Sequence, residues 1–387
     1  MPTNSLDIQP TILRWAIKRS GLPESSLRNW NKGLISQWVD GDKKPTLTQL
    51  TDFAKKVHVP LGYLFLEKPP EERIPVPDYR TYDDNQPALP SPDLIDTIHE
   101  MQRRQDWMRD YLTEIGADKL SFIGSLQETI SVEKAAVTIR QDLGFPENWA
   151  EDCRTYDDAL RKFRNAIDDT GILISIKGCV GMSTKRGLNP EEFCGFVLSD
   201  DYAPFIFING KCPKSAQMFT LAHELAHLWL GVGGLFNLSM EQLSFQHETE
   251  QLCNKIAVEF LVPRKKILDL WNNLTQDFRE LANQFKVSPI VIARRVFDLN
   301  LIDQEHFFSF WRQQKTEWEN LKTISDRQKG GNPYRNYRVW LGKRFSEAII
   351  SATRSGFLSY KEAFRLSGLR GATFDLYVSK MQGGSLD

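Results

Sequence analysis

The clearest chemical signal in the chain is a pair of histidines and a glutamate within one short apolar segment. The stretch FTLAHELAHLWLG at 219–231 contains the pattern HExxH as His223, Glu224 and His227. On an α-helix, positions i and i+4 lie on one face about 6 Å apart, so both imidazoles can bind one Zn²⁺ ion. Glu224 lies one residue round the helix from His223, where it can reach a water molecule on the metal without being a ligand. The pattern predicts a zinc site with a glutamate placed for proton transfer.

The residues around this motif help to separate a functional site from a structural one. They are almost all apolar and are followed by a cluster of glycines, so they predict a buried helix that stops at that cluster. In a chain with six histidines, a chance HExxH has a probability of roughly half a percent. The alternative is a buried helix with two structural histidines, but two imidazoles and a carboxylate are costly to bury without partners.

A zinc site that does chemistry has three protein ligands and one open position, so a third ligand must come from another element. The segment HETEQLCNKIAVEFLVP at 247–263 predicts a helix that Pro263 ends. One face of this helix carries Glu250, Asn254, Ala257 and Leu261. If that face packs on the HExxH helix, Glu250 completes a His₂Glu set of the kind found in gluzincins.

Other residues of the same segment are alternatives for the third ligand. His247 lies three residues before Glu250 and therefore near it on the same helix, and Glu248 is a second carboxylate. Cys253 offers a thiolate, but its apolar neighbours favour a small core residue. We prefer Glu250, with His247 as the next choice.

The composition limits what else the chain does. Apolar residues make up 41% and charged residues 26%, and the net charge of −1 gives no overall attraction to nucleic acid or membrane. The five cysteines are scattered without a CxxC pair, which argues against a disulfide framework. Because there is neither a signal-peptide pattern nor a long apolar run, we expect a cytoplasmic protein with no membrane contact.

The periodicity of the apolar residues, which predicts the helices and strands that position the metal site, changes along the chain. Helical periodicity at about 93–115, 132–143 and 156–168 gives way to short β-branched and aromatic runs, and from Ser215 the pattern is helical again. The predicted strands are Ile172–Ile176, Phe196–Leu198 and Phe205–Ile208. The last of these precedes the motif helix and either offers a free edge to an extended peptide or is a plain core strand.

We therefore predict an α+β fold that is mostly helical, with a helical N-terminal module, a zincin-like peptidase domain containing a small mixed β-sheet, and a helical C-terminal region. The predicted divisions are a degenerate helix-turn-helix-like module at 1–66, a Pro-rich linker at 67–90, the metallopeptidase domain at 91–265, a second helix-turn-helix-like region at 266–329, and a basic helical region at 330–387.

Three of these segments resemble the ImmA/IrrE family of metallopeptidases: FIFINGK at 205–211, FTLAHELAHLWLG at 219–231 and EQLCNKIAVEFLVP at 250–263. The first 80 residues resemble the repressor-like (XRE-type) helix-turn-helix half and linker of many members, and the tail at 330–380 is similar to that of the longer ones. The resemblance implies that His223, His227 and Glu250 are zinc ligands and that Glu224 is the catalytic glutamate. It also implies a regulatory protease that inactivates a repressor or antitoxin-like protein encoded nearby.

The N-terminal module departs from a DNA-binding pattern. Only 15 residues, PESSLRNWNKGLISQ, separate the first predicted helix from Trp38, and a repressor-type module normally fits two helices there. We expect weak or no DNA binding at physiological salt and a role in docking a protein, with the substrate as the expected partner. The segments 279–299 and 360–378 also have a faint helix-turn-helix pattern, as DNA contacts or as helical packing.

Two functions are consistent with this sequence. The first is a zinc-dependent regulatory endopeptidase that uses an activated water and a glutamate general base. The second is a non-catalytic regulator that binds DNA or a partner and has a structural or vestigial zinc site. Glu224 favours the enzyme, because a structural zinc site has no use for a carboxylate at that position.

Overall fold

The computed structural model describes residues 5–22, 30–70, 90–183, 185–232, 234–236, 248–322 and 333–383. Two compact units divide the chain, one before residue 100 and one from Glu100 onward, and the division falls within a helix. Among the described residues, no helix has both the length and the apolar character needed to cross a membrane. Most of the predicted linker and residues 23–29 of the N-terminal module lie outside the described ranges.

The smaller unit is helical, as predicted. It contains α1 (Pro10–Ser20), α2 (Leu34–Val39), α3 (Leu47–Lys56) and the first part of α4 (Pro92–Glu114), with 3₁₀ turns at Trp30–Gly33 and Leu61–Phe65. Helix α3 begins at a capping box in which Thr46 and Gln49 exchange side-chain to backbone hydrogen bonds. Its core includes Trp38 against Phe53, with ring centroids 6.0 Å apart.

The larger unit carries the candidate site. After the second part of α4 come α5 (Val132–Asp142) and α6 (Tyr156–Asp169), then the strands β1 (Leu173–Lys177), β2 (Gly195–Leu198) and β3 (Phe205–Asn209). Next are α7 (Lys214–Leu230), β4 (Gly234–Phe236) and α8 (Glu248–Leu261). The remaining helices are α9 (Arg264–Asn273), α10 (Phe278–Phe285), α11 (Pro289–Asp298), α12 (Gln304–Lys322), α13 (Pro333–Leu341), α14 (Lys343–Arg354), α15 (Tyr360–Ser367) and α16 (Ala372–Gln382).

The sheet is mixed and small, and the mostly helical α+β prediction is confirmed. Its strand order is β1–β3–β2–β4, with β1 parallel to β3 and β2 antiparallel to both β3 and β4. All residues of β1, β2 and β3 are buried, because helices cover these strands. Helix α7 lies very close to β2: a Cβ added to Gly195 would be 2.6 Å from Thr220 Cγ2.

The strand that precedes the motif helix has no free edge. Residues Phe205–Asn209 form β3, which pairs with β1 on one side and β2 on the other. The suggestion that this strand adds an extended substrate is therefore wrong, and the alternative of a core strand is confirmed. Sequence pattern could not decide this, because a buried strand and an edge strand with an apolar run look alike until their partners are known.

The C-terminal helices pack onto the β1 end of the sheet. Ser175 Oγ in β1 donates to the Trp340 carbonyl of α13 at 2.6 Å. Gly342 follows α13 with φ of 78°, and a Cβ there would be 2.5 Å from the Ile174 carbonyl oxygen, so only glycine fits. The buried guanidinium of Arg104 in α4 donates to the carbonyls of Leu366 and Trp340.

A buried carboxylate links α6 to the start of α14. Asp168 is 4% exposed and lies beside the backbone N–H groups of Lys343 and Arg344. Burial raises the pKa of Asp168 from 3.8 to about 6, and the nearby charge of Arg164 only partly offsets this. Because the folded state holds this proton more tightly than the unfolded chain, the contribution to stability is complete below pH 4 and is lost as the pH rises through 6.

We expect Asp168→Asn to remove this pH dependence, since an amide does not ionise. Between pH 4 and pH 7, the free energy of unfolding of the variant should improve relative to wild type by up to about 3 kcal/mol. Urea denaturation of both proteins across this range measures the difference. Parallel stability curves for the two proteins would mean that Asp168 does not titrate as described.

Candidate metal centre

Helix α7 crosses the core and carries the HExxH motif. Every residue from Gln217 to Trp229 is buried, so the helix has no solvent-facing side over this length. It ends at Gly231, which adopts φ of 73°. The segment before α5 satisfies carbonyls of its last turn: Gly124 N–H donates to Leu228 at 2.9 Å and Leu126 N–H to Trp229 at 2.9 Å. The position of the motif along the helix axis is thereby fixed.

Helix α8 packs against both α7 and α5, and brings Glu250 to the motif from its first turn. Its other end is held by buried charged groups. Arg140 Nη1 of α5 donates to the carbonyls of Glu259 and Phe260 at 2.9 and 3.0 Å, and Arg295 pairs with the Glu259 carboxylate. These contacts satisfy the carbonyls at the C-terminal end of α8 and orient the helix so that Glu250 faces the motif.

Three side chains converge at this point. His223 Nε2 and His227 Nε2 are 3.0 Å apart, and the Glu250 carboxylate oxygens lie 3.2 Å from the first nitrogen and 3.0 Å from the second. The histidine side chains are 0% and 1% exposed, and that of Glu250 is 13% exposed. One ligand atom from each residue lies within 4.8 Å of the others. The structure thus brings together the three residues that the sequence predicts as ligands.

A hydrogen bond from α8 orients one imidazole of the site. Asn254 lies one turn after Glu250 in α8, and its Oδ1 is 3.0 Å from His223 Nδ1. An amide oxygen can only accept, so His223 Nδ1 carries the proton and its Nε2 keeps a lone pair toward Glu250 and His227. The sequence places Asn254 on the correct helix face but gives it no role; its i+4 spacing from Glu250 is the signal that indicates one.

Charge at the site favours a neutral imidazole at His223 and an ionised carboxylate at Glu250. Burial lowers the pKa of His223, and the nearby Glu250 carboxylate only partly offsets this. Burial raises the pKa of Glu250, but the contacts with His223 and His227 outweigh it and hold this pKa well below its usual range. His223 and Glu250 therefore present lone pairs and a single negative charge to a metal ion.

This set fits a tetrahedral zinc ion. Ligand atoms at about 2.1 Å from zinc are about 3.4 Å from one another in a tetrahedron, close to the separations of 3.0 to 3.2 Å here. Two imidazoles and one carboxylate are a ligand set that zinc takes in hydrolytic sites, with a fourth position left for solvent or substrate.

Glu224 lies beside this cluster and is not part of it. It is 0% exposed, and neither of its carboxylate oxygens has a hydrogen-bond partner among the described residues. Burial, followed by the charge of Glu250, raises the pKa of Glu224 well above its usual value. A buried carboxylate without a hydrogen-bond partner destabilises the folded state. A water molecule at the open position of a neighbouring metal site would supply the missing hydrogen bond.

The other residues considered as the third ligand are Glu248, Cys253 and His247, and the structure describes the first two. Glu248 is exposed and lies outside the cluster. Cys253 is 0% exposed, and burial raises the pKa of its thiol, consistent with a core residue of α8. His247 lies outside the described residues.

Comparison with known proteins identifies a family that is similar to the part of the chain containing this site. Residues 170–297 match the family model described as the IrrE N-terminal-like domain, Peptidase_M78. This segment is similar to the IrrE N-terminal-like domain. It runs from the end of α6 into α11 and contains the sheet, the HExxH helix and α8. The match supports a metallopeptidase domain of the ImmA/IrrE type, and such a domain implies a bound metal ion.

Outside the IrrE-like domain, residues 341–380 match a second model, described as a domain of unknown function, DUF8813. This segment covers α14, α15 and most of α16, which lie at the β1 end of the sheet. No curated protein matches the chain. The resemblance of the N-terminal residues to a helix-turn-helix module stays a prediction.

The contact between Asn254 and His223 predicts a measurable effect on metal binding. We expect Asn254→Leu, which is similar in size but has no acceptor, to weaken zinc binding by roughly 10- to 100-fold. Asn254→Asp keeps an acceptor and should bind zinc nearly as well as wild type. Competition titration with a chromophoric chelator measures both affinities, and equal affinities for all three proteins would remove the role given to Asn254.

Proposed function

We propose that the chain is a zinc-dependent endopeptidase whose ligands are His223, His227 and Glu250 and whose general base is Glu224. The observation that carries this proposal is the Glu224 carboxylate, which is fully buried beside the three-ligand cluster. A closed structural zinc site gains nothing from such a group, because its four positions are filled by protein. A hydrolytic site requires it, because a water molecule must lose a proton there.

In this mechanism the protein positions groups and moves one proton. The hydrogen bond with Asn254 fixes the His223 ring, and the packing of α7 fixes His227 relative to it. The chemistry supplied by a bound zinc ion is polarisation of the scissile carbonyl and acidification of a water molecule. A carboxylate oxygen of Glu224 accepts the proton of the attacking water and then passes it to the leaving amine nitrogen. The burial of Glu224 raises its proton affinity, which suits both transfers.

For the substrate we propose a repressor or antitoxin-like protein, encoded nearby and cleaved in the cytoplasm. The support is the match of residues 170–297 to the IrrE N-terminal-like domain, together with the resemblance of the first 80 residues to a repressor-type module. We propose that the N-terminal module docks this protein and contacts DNA weakly or not at all.

The second candidate function is a non-catalytic regulator that binds DNA or a partner and has a structural or vestigial zinc site. The helix pair α10–α11 is one of the two segments of the larger unit with a helix-turn-helix-like pattern. Two of its arginines are engaged elsewhere: Arg294 bonds to Asp298 at 2.8 Å, and Arg295 pairs with Glu259. This arrangement favours packing over DNA contact for this segment.

Glu224→Gln tests catalysis directly. Because Glu224 is not a ligand in this proposal, the variant should retain about one zinc per chain while cleavage falls by about 10²- to 10⁴-fold. Zinc is measured by elemental analysis. Cleavage is measured by labelling new protein N-termini in cells that express wild type or variant, and then in vitro on the protein so identified. If the variant produces the same new N-termini at the wild-type rate, the chain is not this kind of protease.

Substitution of the candidate third ligands tests the metal site. Glu250→Ala should lose zinc, since two imidazoles alone do not complete the site. Glu248→Ala, an exposed residue two positions earlier in the same helix, is the matched control and should keep it. Full zinc content in Glu250→Ala together with loss in His247→Ala would transfer the ligand role to His247.

A further inference from the structure

Two cysteines outside the metal centre lie together at one end of the sheet. Cys194 directly precedes β2, and Cys212 lies between β3 and α7. The antiparallel pairing of β2 with β3 places them at the same end, and Asn209 N–H at the end of β3 donates to the Cys194 carbonyl at 2.8 Å. Cys212 N–H donates to the Asn209 carbonyl at 3.0 Å, and Gln217 Nε2 in α7 donates to the Cys212 carbonyl at 2.7 Å.

These contacts hold the two thiols against each other. The Sγ atoms of Cys194 and Cys212 are 3.0 Å apart, and each residue is 4% exposed. The sulfurs of Cys153, Cys179 and Cys194 each face a backbone carbonyl at 4.0 Å, and among the described contacts only the Cys194–Cys212 pair brings two sulfurs together. We propose that Cys194 and Cys212 are a redox-active pair that hydrogen peroxide converts to a reversible disulfide.

The geometry assigns different roles to the two sulfurs. Cys212 donates its S–H to Cys194, so Cys194 is the sulfur that can lose its proton. This hydrogen bond, burial and the charge of Cys194 all raise the pKa of the Cys212 thiol, which consequently keeps its proton. The thiolate is the nucleophile in thiol chemistry, so Cys194 attacks the oxidant and Cys212 resolves the product.

The steps balance with one peroxide molecule. The Cys194 thiolate attacks one oxygen of hydrogen peroxide, the O–O bond breaks, and a sulfenic acid and hydroxide form; the hydroxide takes a proton to become water. The Cys212 sulfur then attacks the Cys194 sulfur, its proton goes to the departing hydroxyl, and a second water leaves. Two thiols are oxidised to a disulfide, and one peroxide is reduced to two waters. Exchange with an excess of dithiol reverses the change.

The bond would join two elements that border the metal centre without changing the ligands. Cys212 is next to Pro213, which precedes α7, and Cys194 is next to Gly195, which packs on Thr220 of the same helix. The Cys194 sulfur is also close enough to Glu224 to raise the pKa of that carboxyl. Since all three candidate ligands are histidine or glutamate, peroxide should form the disulfide without releasing metal.

A tryptic map of the zinc-loaded full-length protein tests this inference. Trypsin cuts after Arg186, Lys211 and Lys214, which separates peptide 187–211 with Cys194 from peptide 212–214 with Cys212. After peroxide treatment and acid quenching, the two peptides should appear joined, and dithiothreitol should separate them. The zinc content should be unchanged, and the Tm should rise by roughly 5 °C, because the disulfide closes a loop in the unfolded chain.

The controls separate this pair from the other cysteines. Cys212→Ser should abolish the joined peptides, whereas Cys153→Ser, a substitution of another buried cysteine, should leave them in place. If Cys212→Ser does not fold, the wild-type map alone decides. The inference is overturned if peroxide leaves both thiols intact, oxidises Cys194 to a sulfinic acid without a cross-link, or joins either cysteine to a different partner.

Discussion

The cost of burying polar groups in an apolar helix is the constraint on which this structure depends. Helix α7 is buried along its length, yet it carries two imidazoles and a carboxylate at His223, His227 and Glu224. Each would destabilise the fold in an apolar environment unless something satisfied it. Glu250 and Asn254 of α8 satisfy much of this demand, and for that reason the contact between α7 and α8 organises the larger unit.

This constraint explains why so much of the chain supports α8. A shift of one turn along the helix axis, about 5.4 Å, would take Glu250 away from both histidines and leave three polar groups without contacts. Arg140, Glu259 and Arg295 hold the C-terminal end of α8, while the segment containing Gly124 and Leu126 holds the end of α7. These residues are far from any reaction, but they maintain the 3.0 to 3.2 Å separations of the ligand atoms.

The sequence predicts the parts of the site that follow from helical periodicity. HExxH places His223 and His227 on one face, and the face of α8 brings Glu250 toward them; both depend on local geometry, which the sequence determines directly. The three strands were also predicted, and β1, β2 and β3 lie within one or two residues of the expected ranges.

Features that depend on pairing between distant segments could not be predicted in this way. The central position of β3 follows from its partners, which are not adjacent to it along the chain. The contact of Cys194 with Cys212 depends on the register of β2 against β3, and a one-residue slip would turn side chains to the opposite face. The Asn254 contact required knowledge of how α8 is rotated against α7.

The two carboxylates of the site illustrate how position alone separates their roles. Glu250 and Glu224 are both shielded from solvent, but the Glu250 carboxylate oxygens lie 3.0 to 3.2 Å from the Nε2 atoms of His223 and His227, and Glu250 remains ionised. Glu224 has no hydrogen-bond partner among the described residues, and burial together with the charge of Glu250 raises its pKa. When environments shift the pKa values of two acids in opposite directions, the acid with the lowered pKa suits a metal ligand, and the acid with the raised pKa binds a proton more tightly and suits proton transfer. The two histidines of α7 are stabilised by Glu250, and Glu224 on the same helix therefore remains available for chemistry.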